Sequence, residues 1–355
     1  MRFNSLAVAA LVALAGCATD AVDDELYEDG PDTDGKADGV TLTPQVAVTS
    51  YAATSQQLVT TANVTGLLGG SIAMNTPVVA IRTLSFGGVT ARVVVDARSL
   101  HVIVASNQAL SAASRPATTG ELDTTPYLTA LHTHDNLAYV GLDAQAFGGD
   151  APDRFVVTVD MCQSSRVWEQ GLFETLVALG TTLGEPVPVG IAMTGRWANA
   201  HPRELAKLIA WDNTNALRIT WIDHSYNHPL NLVDGEYTFM TAPSVDMPSE
   251  VLRLEALLLS QRVVPSPFFR FPGLTHNAHR LDQVNGLGLL ALDGNAWLAK
   301  GEPIRDGRVV LVHGNGNEHV GITKFNDELK TWRPRLLART AEIVPVSRVV
   351  ANATP

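Results

Sequence analysis

Two histidines four residues apart, His224 and His228, follow the apolar run Leu217-Arg218-Ile219-Thr220-Trp221-Ile222. On a helical turn, residues i and i+4 share a face, so both imidazoles can reach one metal ion. The same spacing suits two packing histidines in a loop, and the pattern alone does not separate the two readings. The surrounding segments bear on the choice. An apolar run over residues 154–159 ends in Asp160, and the apolar, Pro-containing stretch Phe268-Phe269-Arg270-Phe271-Pro272-Gly273 carries one cation. A further run over residues 307–312 ends in His313. Singly, each group has an ordinary role: a carboxylate caps a helix, an arginine stem packs on a ring, an imidazole sits in a core. Together they are the parts of a metal-assisted hydrolysis. A metal polarises a carbonyl and activates water, a carboxylate takes the proton, and a second acid protonates the leaving group.

Such groups need elements that bring them to one place. From about residue 152 the pattern alternates strand-like and helical segments. Strands are expected at 155–159, 188–193, 219–222, 287–292 and 309–312. Helices are expected at 168–179, at 202–210 with Pro202 near its start, and at 249–261 with Ser249 as N-cap. Repeated βα units imply a parallel sheet, and the ends of such strands are where catalytic groups gather. Residues 41–150 read differently. The β-branched runs at 46–51, 77–82, 91–96 and 101–104, punctuated by Gly69-Gly70 and Gly87-Gly88, suggest a small antiparallel sheet or sandwich. His132-Thr133-His134-Asp135 in this region resembles a metal pair, but Pro126-Tyr127 before it and Asn136 after it favour structural histidines in a loop or strand edge.

The chain has 355 residues, 46% hydrophobic and 17% charged, with a formal net charge of -11. That composition permits a sizeable core and offers no basic patch for nucleic acid. Much of the negative charge lies in residues 18–40, where Asp20, Asp23, Asp24, Glu25, Glu28 and their neighbours self-repel and have little to bury; an extended linker is expected. Before it, Arg2 and a short apolar stretch over residues 5–15 read as a secretory leader, too short to span a bilayer. Leu14-Ala15-Gly16-Cys17 resembles a bacterial lipobox, which implies lipidation at Cys17; Ala18 after it implies the outer membrane. If Cys17 carries lipid, Cys162 is the one remaining thiol and no intramolecular disulfide forms.

The order of the chemical groups resembles the polysaccharide deacetylase family, the NodB-homology or carbohydrate esterase family 4 domain. Its motifs T-F-D-D, H-[ST]-x-x-H, R-x-P-[YF], a D/W segment and L-x-H would fall on Thr158-Val159-Asp160-Met161, His224-Ser225-Tyr226-Asn227-His228, Arg270-Phe271-Pro272-Gly273, Asp293 with Trp297, and Leu311-Val312-His313. Thr194-Gly195-Arg196-Trp197 and the following His201-Pro202-Arg203 also look like the stretch before the family's His pair. The resemblance covers about residues 152–345. It implies an α/β fold, the irregular (β/α) barrel of the NodB-homology type, with an open doubly wound sheet as the alternative. The implied division is a leader over 1–17, a linker over 18–40, a β-rich accessory region over 41–150 and a catalytic domain over 151–355.

By the same resemblance, His224 and His228 would bind a divalent metal, most often zinc, Asp160 would be the general base supported by Arg270, and His313 the general acid. Leu311 would line the acetyl-methyl pocket, a backbone N–H near Gly273 would hold the oxyanion, and Trp297 would contact substrate. The implied activity is hydrolysis of the N-acetyl amide of a cell-envelope or extracellular polysaccharide. The other reading is a non-catalytic glycan-binding lipoprotein on a degenerate deacetylase scaffold. Two departures bear on the choice. Met161 stands where the family has a metal-binding acid, and a thioether is a poor ligand for such a cation. Cys162 is either a replacement thiolate or an inert buried thiol. Gly273 stands where the family has an aromatic ring. On this reading Met161→Asp restores the acid and is expected to tighten metal binding.

Overall fold

The computed structural model describes residues 41–133, 136–138, 152–233, 236–350 and 353. The leader, Cys17, the acidic linker, His134 and Asp135 lie outside the described residues.

The first part of the chain builds one five-stranded antiparallel sheet from β1 (Val48–Thr60), β2 (Pro77–Phe86), β3 (Val89–Asp96), β4 (Val102–Ser106) and β5 (Ser114–Pro116), in the order β4-β3-β2-β1-β5. Both faces of β2 and β3 are largely buried, which is why these strands read as β-branched runs rather than alternating ones. Two short helices belong to this part, α1 (Asn107–Ala112) between β4 and β5 and α2 (Pro126–Thr133) after β5. His132 is an exposed residue of the last turn of α2, so it stands at a helix end and not in the expected loop or strand edge.

The second part builds an eight-stranded sheet in which every recorded pairing is parallel. Its strands are β6 (Asp153–Met161), β7 (Val187–Met193), β8 (Leu217–Asp223), β9 (Phe268–Phe269), β10 (Leu290–Ala291), β11 (Ala296–Trp297), β12 (Val309–His313) and β13 (Ala341–Ile343). The order is β10-β9-β8-β7-β6-β12-β11, with β13 pairing the start of β6. The helices α3 (Gln170–Leu183), α4 (Gly195–Ala200), α5 (Pro202–Asn213), α6 (Met247–Ser260), α7 (Ala278–Gly286) and α8 (His319–Leu337) connect the strands. This is the α/β fold expected of a half-closed (β/α) barrel, with the β-rich region before it.

Strand alternation sorts the core. Phe155, Val157, Val159 and Met161 on β6 join Leu172, Phe173 and Leu176 of α3 and Phe325 of α8 in one apolar cluster. Val156 faces the other way, as Thr158 and Asp160 do by the two-residue period. Val156 belongs to a second cluster, which also holds Ile222, Val309, Phe268, Leu290, Val346 and, from the N-terminal sheet, Val79, Ile81 and Val93. The two sheets therefore share a core. Polar ties reinforce it. Arg82 of β2, fully buried, forms a two-pronged pair with Glu255 of α6 at 2.6 and 2.8 Å, and Tyr51 donates to the same carboxylate at 3.0 Å. Tyr127 donates to the carbonyl of Gly288. Beyond α2, Leu137 bridges to Leu292 just past the edge strand β10.

Two expected boundaries move. α6 begins before Ser249, because the Asp246 carboxylate accepts the Ser249 N–H and Pro248 fits the first turn, where no N–H is needed. The strand expected over 287–292 shrinks to β10, since Leu287 ends α7 and Gly288 turns the chain at φ 75°.

Candidate active site and metal centre

The sequence-selected groups all lie at the C-terminal ends of the parallel strands. Asp160 is the penultimate residue of β6, and it stands in register with His313, the last residue of β12. His224 follows β8, Arg270 follows β9, and Trp297 ends β11.

Asp160 and Arg270 form the centre. The guanidinium is fully buried, and its Nη1 donates to Asp160 Oδ1 at 2.6 Å and to Thr158 Oγ1 at 2.7 Å. Its Nη2 donates to the Asp293 carbonyl at 3.0 Å. Arg270 is thus locked by three hydrogen bonds to β6 and to the segment after β10, and it fixes one oxygen of Asp160. The other oxygen, Oδ2, faces His224 Nε2 at 3.8 Å. Burial alone would raise the Asp160 carboxyl, but the charges of Arg270, His224 and His313 outweigh it and hold the group below its ordinary range.

The His pair lies in a loop rather than on a helical turn. Ser225 at φ 66° and His228 at φ 48° both take the left-handed conformation that side chains disfavour. The loop is held there by its neighbours. Ser225 N donates to Asp223 Oδ1 at 2.8 Å, His228 N to Ser225 Oγ at 2.9 Å, and Asn227 gives its N and Nδ2 to Glu250 of α6 at 2.7 and 2.6 Å. The two rings end 5.0 Å apart, centroid to centroid. Backbone strain over-determined in this way is characteristic of functional sites. His224 Nδ1 lies 2.9 Å from the Arg270 carbonyl, which orients the ring so that Nε2 is the atom turned toward Cys162 and Asp160.

Met161 is not part of the site. It is fully buried in the cluster between β6 and α3, on the side opposite Asp160. The next residue, Cys162, comes back toward the histidines, with Sγ 3.5 Å from His224 Nε2. One donor atom from each of Cys162, His224 and His228 lies within 4.8 Å of the others. His228 Nδ1 is buried with no hydrogen-bond partner. Three converging donors of zinc-ligand type, one of them buried and unsatisfied, fit a divalent metal. Burial would raise the Cys162 thiol, but His228 and His224 hold it well below its usual range.

His313 has a partner that the sequence reading missed. Its Nδ1 lies 2.8 Å from Glu318 Oε2, and Trp297 Nε1 donates to the same carboxylate at 3.0 and 3.1 Å. Burial works against protonation of His313, yet hydrogen bonds to Cys162 and Glu318 raise its pKa well above the ordinary value. Glu318 follows the His313 strand by five residues, so a short-range search for an acid near the last motif would have found it. Asp293, selected from the D/W segment, instead accepts from Gly294 N at 2.7 Å and from Asn136 at 2.9 Å. Trp297 is half-buried, with Lys300 Nζ 3.7 Å above its ring and His313 5.5 Å from it.

Gly273 stands at φ 61°, and a Cβ there would meet the Phe239 ring at 2.3 Å. The ring expected at position 273 is replaced by Phe239, brought from the 239–241 turn, whose edge also packs on His228 at 5.8 Å. Leu311 lies on β12 two residues before His313 and so on its face, buried against the backbone of Gly294.

No protein-family model matches this chain. Solved structures similar to it include a family 4 carbohydrate esterase from Bacillus anthracis, at 14% identity over 63% of this chain and 91% of that one, with a TM-score of 0.42. A chitin deacetylase from Colletotrichum lindemuthianum is 18% identical over 58% of this chain and 90% of that one, with a TM-score of 0.43. A family 4 pseudoenzyme from Bacillus anthracis is 13% identical over 57% of this chain and 67% of that one, with a TM-score of 0.39.

Proposed function

We propose that the chain is a metal-dependent hydrolase that removes the N-acetyl group from a cell-envelope or extracellular polysaccharide. The observation that carries this reading is the convergence of Asp160, locked by Arg270, with a three-donor cluster and the His313–Glu318 pair. The glycan as substrate rests on the motif order along the sequence.

His224 and His228 would hold the cation. Bound there, a divalent metal lowers the pKa of water and polarises the acetyl carbonyl. Asp160 Oδ2 is the base that takes the proton of the attacking water, because Arg270 already occupies Oδ1. Arg270 keeps Asp160 ionised and oriented. His313, with Nδ1 directed to Glu318, carries a proton on its other ring nitrogen and gives it to the leaving amine. Leu311 is assigned to the acetyl-methyl pocket, the backbone N–H near Gly273 to the oxyanion, and Trp297 to the sugar.

The test is acetate release from chitooligosaccharides and from peptidoglycan by the full chain loaded with zinc. Asp160→Asn should keep its metal and lose roughly a hundred- to ten-thousandfold in turnover. A wild-type protein that holds one metal ion, releases no acetate from either material and still binds one of them would establish the glycan-binding alternative. For location, the proposal is a lipid anchor at Cys17 in the outer membrane; Cys17→Ser should move the protein out of the detergent-extractable membrane fraction.

A further inference from the structure

We infer that Cys162 is the third protein ligand of the metal, as a thiolate, and that the centre is a Cys-His-His site selective for zinc-like cations. This rests on the reading of His224 and His228 as metal ligands, and it names a donor that the T-F-D-D pattern does not contain.

The strand explains why position 161 cannot supply the ligand. Side chains alternate along β6, so Asp160 points into the site and Met161 into the apolar cluster with Phe173 and Trp197. Position 162 returns to the face of Asp160, where the strand has ended. Asn315 Nδ2 holds the Cys162 carbonyl at 3.1 Å, which ties this turn to the loop after β12.

The distances suit a tetrahedral zinc. Bonds of about 2.3 Å to sulfur and about 2.05 Å to nitrogen at the tetrahedral angle place the two donors about 3.6 Å apart. Cys162 Sγ and His224 Nε2 are 3.5 Å apart, and His228 brings a donor within 4.8 Å of both. His228 is 3% exposed, and its Nδ1 is without a partner. Asp160 is not among the donors that converge within 4.8 Å, and with Oδ1 held by Arg270 at 2.6 Å its Oδ2 stays available as base. A thiolate also carries the one negative charge that a ligating carboxylate would have carried. Three protein ligands leave a fourth position open, the pattern of catalytic rather than structural zinc. The exchange of carboxylate for thiolate makes the site softer: it should favour zinc and cobalt and discriminate against magnesium, calcium and manganese.

The experiment uses the full chain with Cys17→Ser, in which Cys162 is the sole thiol, and cobalt(II) as the probe. Bound cobalt should give a thiolate-to-cobalt charge-transfer band in the near ultraviolet at one metal per chain. The band should be absent in Cys162→Ser and in His224→Ala. In Cys162→Ser, zinc affinity should fall by more than the roughly 10–100-fold that loss of an outer-shell partner costs. In the parent, zinc should protect the thiol from alkylation and a chelator should expose it, a readout that needs no second folded variant. Stoichiometric cobalt with no sulfur band, or a thiol alkylated equally with and without zinc, overturns the inference and leaves the deacetylase proposal standing. The band together with no acetate release supports the inference and sinks the deacetylase proposal. A parent chain that binds neither metal overturns the inference.

Discussion

Met161 and Cys162 are adjacent, and the pleat of one strand gives them opposite surroundings. The motif resemblance makes Met161→Asp look like a restoration. In the fold it puts a carboxylate among Phe173, Trp197 and Val159, with no partner and no water. Burying an unpaired charge costs several kcal/mol. The expected outcome is a strongly lowered unfolding midpoint, or insolubility, with no gain in zinc affinity; tighter zinc binding in a folded Met161→Asp chain would refute this placement. Glu318 makes a second prediction at this scale. It receives both His313 Nδ1 and Trp297 Nε1, so it fixes the imidazole and favours its protonated form. Glu318→Gln should lower kcat by about tenfold or more, a part of the roughly hundred- to ten-thousandfold that a general acid supplies. KM should change little, and Glu318→Asp should recover part of the loss. A pure KM effect would place Glu318 in substrate binding instead.

At the scale of elements, the site depends on connections that break regular structure. The 224–228 loop holds two left-handed residues, and the turn after Arg270 holds Gly273 at φ 61°. Gly273 answers two demands, the backbone conformation and the Phe239 ring that lies against it. Gly273→Ala should therefore destabilise by about 1–3 kcal/mol, the cost of a strained left-handed residue. It should also displace Phe239 from His228, so zinc affinity should weaken along with stability. Denaturant titration and zinc competition would measure the two effects separately. If stability falls and zinc affinity does not, Phe239 has no part in holding the histidine.

At the scale of the molecule, the N-terminal sheet and the parallel sheet keep separate hydrogen-bond ladders and share one apolar cluster. Arg82 on the N-terminal sheet and Glu255 on α6 are both essentially without solvent contact. Glu255 also lies near Asp223, the residue before His224, and raises its carboxyl after burial has done so. A chain starting near residue 151 would expose Phe268, Leu290 and Val284 of the cluster, and it would strand Glu255. Such a truncation should be insoluble or molten while the chain from residue 41 folds cooperatively. Glu255→Ala, which leaves Arg82 buried and unpaired, should cost about 3–5 kcal/mol in denaturant unfolding. Cooperative folding of the 151–355 piece would show that the shared cluster is dispensable.

The sequence determined the order of the parts. Asp160, His224, Arg270 and His313 each follow or end an apolar run, and parallel strands bring run ends together, so their convergence was legible from pattern alone. The β-branched runs likewise marked the antiparallel sheet. What the tertiary structure decided depends on direction and on distant neighbours. The face of a strand residue near its end is fixed by where the strand stops, so Met161 could not be seen to point inward nor Cys162 outward. Spacing of four residues is the same in a helix and in a loop, and only the clamp from Asp223 and Glu250 selects the loop. Gly273 and Phe239 are far apart in sequence, and their exchange of roles exists only in space. The Arg82–Glu255 pair spans 173 residues, a separation at which no local pattern carries information.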